Sequence, residues 1–208
     1  MGGWRDRISY YRGRVDRVSV LSGKDHRGAR AMANLKDVSV VQARLTSRTN
    51  GRLVAYFSWS GNTRKVADQI HKVVGGDLFE IVSKDEYPRG YDETVKQARR
   101  ELDAGYIPEL VSEVQNIGSY DVIFIGYPNW WGTTPRPIVS FLSKCDSPGK
   151  TIAPFCTHEG SRLGRSVEDI AKLCPRSTVL EGFAVRGGDV ENALNRVSEW
   201  LRRIGMMD

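Results

Sequence analysis

The chain has 208 residues, 40% hydrophobic and 27% charged, with a formal net charge of +6 and a pI near 9.3. That length fits one α/β domain with some surplus and argues against a two-domain enzyme, and the composition is that of an ordinary globular protein. No apolar run approaches the ~18–20 residues of a membrane-spanning helix, and the first residues lack the apolar stretch of a secretory signal peptide. The basic charge is concentrated at one end. Residues 1–50 hold 11 Lys and Arg against 4 Asp and Glu, so 11 − 4 = +7, while residues 51–208 hold 20 against 21, so 20 − 21 = −1. Asp6, Asp16, Asp25 and Asp37 argue against an Arg-rich organellar presequence, and Asp6 stands where N-myristoylation after Gly2 wants Ser or Thr. Residues 1–50 show no sustained helical period and are expected to form a loosely ordered basic extension, with Met32 as a second candidate start. Their arginines are scattered rather than blocked, so nucleic acid is disfavoured as a partner, although binding to a polyanion or a partner protein stays open.

From residue 51 the pattern changes. Leu53–Phe57 is a continuous apolar run, as in a strand buried on both faces of a parallel sheet. A helical period then runs through Val66, Ile70 and Val74 and stops at Gly75-Gly76. Further strands are expected at Leu78–Val82, Asp121–Gly126, Thr151–Cys156 and Val179–Val185. Helices are expected at Tyr91–Ala104, Arg136–Ser143, Leu163–Leu173 and Val190–Ile204. Strands alternating with helices specify an α/β, doubly wound parallel sheet, whose site lies outside the carboxyl ends of the strands.

Three strand-end loops carry the chemistry. In the first, the hydroxyls of Ser58, Ser60 and Thr63, together with Gly61 and Asn62, surround the start of a helix, a setting suited to phosphate. An ordinary helix cap explains the same residues equally well. No G-x-x-x-x-G-K-[ST] and no G-x-G-x-x-G after a strand is present, so triphosphate hydrolysis and the usual dinucleotide fold lose support. The second loop, Gly126 to Pro137, sets Trp130 beside Trp131 among Pro128, Asn129 and Gly132, where indoles suit a planar aromatic ligand. The third, Cys156 to Gly164, offers small and polar groups: Thr157, His158, Glu159, Gly160 and Ser161. Cys156 and His158 do not form a convincing nucleophile and base, because no orienting Asn or Asp is evident. Three cysteines with no C-x-x-C spacing make neither a disulfide framework nor a zinc site, and no metal is expected; the chain is read as cytoplasmic, with reduced thiols.

Taken in order, Ser58–Thr63, Gly126–Pro137 and Gly149–Gly164 resemble the flavodoxin-like FMN-binding proteins over roughly three-quarters of the chain. The resemblance implies a five-stranded sheet of order 2-1-3-4-5 with helices on both faces, in a domain spanning 51–208. It implies that Ser58, Ser60, Gly61, Asn62 and Thr63 hold the FMN phosphate. It also implies that Pro128, Asn129, Trp130, Trp131 and Gly132 meet the isoalloxazine ring with Thr157, His158, Glu159, Gly160 and Ser161, Gly164 supporting the turn. Glu159 departs from the small residue expected there, and an inward carboxylate would lower the flavin potential. Two functions share this architecture: an oxidoreductase from NAD(P)H to a quinone or similar acceptor, and an electron carrier for protein partners. Carriers of this kind are usually acidic, so a body of charge −1 favours the oxidoreductase. Tyr127 and His158 are the weak candidates for hydrogen bonds to substrate. Donor, acceptor and oligomeric state stay open at this level.

Overall fold

The computed structural model describes residues 51–208; the expected basic extension and the Met32 start lie outside the described residues. Strand β1 (Arg52–Tyr56) is followed by helix α1 (Asn62–Val74) and strand β2 (Asp77–Glu80). Helix α2 (Tyr91–Asp103), strand β3 (Val122–Pro128) and helix α3 (Arg136–Leu142) come next, then strand β4 (Thr151–His158) and helix α4 (Ser166–Leu173). Strands β5 (Thr178–Val179) and β6 (Phe183–Arg186) precede the closing helix α5 (Leu194–Arg203). All pairings between these strands are parallel, in the order β2-β1-β3-β4-β5, with β6 also on β4. The expected order is therefore observed, with six strands in place of five.

The sixth strand arises because the expected Val179–Val185 run breaks in two. The indole Nε1 of the fully buried Trp200 donates to the Glu181 carbonyl at 2.9 Å, which turns that carbonyl away from the ladder. Trp200 also stacks on Phe183 at 5.4 Å and meets Phe124 edge-on at 6.1 Å, so the break is fixed by core packing. Helix α4 starts later than expected because Arg162 and Gly164 hold left-handed φ values of 51° and 53°, which no helix accommodates.

The sheet is buried on both faces, as its apolar runs require. Leu53, Ala55, Ile123, Ile125 and Ile152 face one side with Ile138, Leu142 and Ile170 of α3 and α4. Val54, Tyr56, Phe124, Ala153 and Phe155 face the other with Val66, Ile70 and Val74 of α1 and Val197 and Leu201 of α5. Because these strands run parallel, the loops after β1, β3, β4 and β6 all leave the sheet at its carboxyl edge. Among the described residues no helix is long and apolar enough to cross a membrane.

Candidate functional site

Gly61 precedes α1 with φ 91° and has no side chain to cap the helix, so the N–H groups of Asn62 and Thr63 face an anion at this end. Ser58 Oγ accepts from the Arg64 N–H at 3.3 Å, and Ser60 is exposed beside it. Arg64 itself is tied in an ion pair with Glu80, which raises its pKa, so positive potential at the loop comes chiefly from the helix. Thr63 is buried and its hydroxyl is bonded to that of Thr157 at 2.9 Å, joining the first loop to the end of β4.

The second and third loops are locked together. Asn129 N donates to the Thr157 carbonyl at 2.8 Å, and Asn129 Nδ2 to the Arg162 carbonyl at 2.6 Å. Arg165 N donates to the Gly132 carbonyl at 2.8 Å. A Cβ on Gly164 would stand 2.3 Å from that carbonyl oxygen, so no larger residue fits. Gly160 and Ser161 are exposed at the tip, and Pro128 closes β3 against Thr157.

The two indoles part company. Trp130 is half-buried, edge-on to Phe57 at 5.5 Å and to Tyr87 at 5.0 Å. Trp131 is 48% exposed and lies on α2, donating to the Val95 carbonyl at 3.1 Å with the Arg99 guanidinium 5.2 Å from its ring centroid. Tyr127 is placed away from the loops: its side chain is fully buried and its hydroxyl donates to Ser166 Oγ at 2.8 Å, with burial pushing its pKa up. His158 ends β4 with a buried Nδ1 that has no hydrogen-bond partner among the described residues, and burial together with Arg162 lowers its pKa. Burial pushes the Cys156 thiol up to about 12, so it is a packed thiol and no nucleophile at neutral pH.

Two neighbours of the site lie outside the three loops that the sequence singles out. Trp59 Nε1 donates to the Pro88 carbonyl at 2.9 Å, which brings the segment after β2 against the first loop, and Trp59 lies 6.5 Å from Tyr91. At the end of β6, a Cβ on Gly187 would meet Glu159 Oε1 at 2.2 Å and Asn62 Nδ2 at 2.8 Å, so the loops after β1, β4 and β6 converge there. Glu159 is mostly exposed and lies 3.7 Å from Arg186, which offsets part of its charge. A run of Gly187-Gly188 after a strand is the one trace of this approach in the sequence.

A flavin phosphate fits this donor set: the hydroxyls of Ser58 and Ser60 and the first-turn N–H groups of α1 behind Gly61. Residues 51–204 match the sequence profile of the family described as Flavodoxin. The chain belongs to the flavodoxin family. It is similar to a candidate flavoprotein from Bacteroides eggerthii DSM 20697 at 33% identity and TM-score 0.63, covering 74% of this chain and 97% of that one. A second candidate flavoprotein, from Bacteroides uniformis ATCC 8492, is 28% identical with TM-score 0.65, covering 73% and 97%. A flavoprotein in complex with FMN from Lactobacillus acidophilus NCFM is 26% identical with TM-score 0.55, covering 68% and 96%. No curated protein matches the sequence.

Proposed function

We propose that this member of the flavodoxin family is an FMN-dependent oxidoreductase that passes electrons from NAD(P)H to a quinone or similar small acceptor. FMN is the cofactor that family membership and the FMN complex of the Lactobacillus relative bring to this chain. The observation that carries the reading is the joining of the β1, β3 and β4 loops at Thr157, which bonds Thr63 at the start of α1 and Asn129 after β3. When bound, FMN would supply the redox chemistry, a hydride coming from NAD(P)H and two electrons with two protons passing to the acceptor.

The chain's own residues bind and orient. Gly61, Asn62 and Thr63, with Ser58 and Ser60, would take the phosphate, and the loops Pro128–Gly132 and Thr157–Ser161 would border the ring. His158, held neutral near neutral pH by burial and Arg162, can hold a proton at only one ring nitrogen and hydrogen-bond a substrate without adding charge. The net charge of −1 over residues 51–208 gives little electrostatic steering toward a basic protein partner, which favours a small-molecule acceptor over a carrier role. Three buried thiols suit a cytoplasmic location.

Anaerobic addition of NADH or NADPH to the FMN-loaded protein tests the reading: bleaching of the flavin absorbance is expected. A yellow protein that neither nucleotide bleaches would instead be a carrier. Removal of residues 1–50 tests the third possibility, a flavin module anchored through its basic extension. Loss of polyanion binding with FMN retained would support that anchor.

A further inference from the structure

Helix α1 has no acidic residue in its first turn, so the helix carries no anion of its own at its positive end. A carboxylate from another loop comes there instead. A Cβ on Gly187 would stand 2.2 Å from Glu159 Oε1 and 2.8 Å from Asn62 Nδ2, so the Glu159 carboxylate and the first residue of α1 reach one point from two sides. Only glycine at 187 leaves room for that meeting. Through its other oxygen Glu159 lies 3.7 Å from Arg186 Nε, and both side chains are mostly exposed, at 70% and 65%. Such a pair is screened by solvent, so Arg186 offsets the Glu159 charge only in part. A phosphate entering at the N–H groups of Asn62 and Thr63 would meet this carboxylate as a like charge, at a range where the repulsion is not fully screened. Oxidised riboflavin is neutral, so the penalty falls on FMN alone.

We propose that Glu159 is a specificity-determining residue of this site: its carboxylate, partly offset by Arg186, opposes the phosphate and sets how far FMN is preferred over riboflavin. This rests on the FMN reading above. The loop that carries Glu159 is expected to border the ring, but its carboxylate acts at the phosphate end.

The test titrates the apo full-length chain and its Glu159→Gln and Arg186→Gln variants with FMN and with riboflavin, following flavin fluorescence at low and high ionic strength. In low salt, Glu159→Gln should raise the preference for FMN over riboflavin about threefold or more, and Arg186→Gln should lower it by a similar factor. At about 0.5 M salt both changes should shrink, because the Debye length falls to roughly 4 Å. A loosened loop would weaken both ligands alike and leave the ratio unchanged, which separates this role from a structural one. A ratio in Glu159→Gln no higher than wild type, or one in Arg186→Gln no lower, overturns the proposal. A wild-type chain that binds no FMN overturns the flavin reading itself, and this proposal with it.

Discussion

Gly164 shows how single residues set this site. Its φ of 53° and the 2.3 Å approach of the Gly132 carbonyl to its Cβ position leave room only for hydrogen. Gly164→Ala is expected to lose on the order of 1–3 kcal/mol in urea unfolding and to weaken FMN binding. Unchanged stability would mean that the loop relaxes at no cost. His158 supplies a pH signature of its own. Burial first, then Arg162, lowers its pKa from the ordinary 6.5, while Glu159 raises it and Arg186 and Arg196 lower it further. The unfolded chain therefore takes up this proton more readily than the folded one, so stability falls as pH drops through 6.5 and toward the folded pKa. At higher pH both states are neutral and the effect vanishes. His158→Gln should flatten that part of the stability profile, and an NMR titration of wild type should place the imidazole midpoint below 6.5.

At the scale of elements, the strands were legible because a parallel sheet covered on both faces demands apolar runs, and Leu53–Phe57 or Ile123–Ile125 satisfy nothing else as well. The loop after β1 was legible as a helix start, since hydroxyls and a glycine ahead of an apolar period of 3.6 mark one. The break between β5 and β6 was not. It depends on the Trp200 indole reaching back to the Glu181 carbonyl, a contact across 19 residues that no local pattern encodes. Trp200→Phe keeps an aromatic ring but removes the donor and part of the buried indole, so the unpaired carbonyl and the gap together should cost at least about 1–3 kcal/mol in urea unfolding. A stability equal to wild type would show that solvent takes over the bond. The divergence of Trp130 and Trp131 was equally hidden. Adjacent in sequence, they are separated by the left-handed φ of 53° at Trp131, which turns one ring into the Phe57–Tyr87 cluster and the other onto α2. The same holds for Pro88 and Gly187, whose approach to the site is a product of the assembled sheet.

For the whole molecule, the arithmetic of charge changes meaning once the site is placed. The described body carries −1, and Arg64 of the first α1 turn is already paired with Glu80. A phosphate bound at this edge would therefore be held chiefly by N–H groups, hydroxyls and the helix dipole. Titration of the apo protein with FMN and, separately, with riboflavin tests this account most directly. It predicts a single FMN per chain and riboflavin bound at least about tenfold more weakly for want of the phosphate. Absence of FMN binding, or riboflavin bound as tightly as FMN, would contradict it.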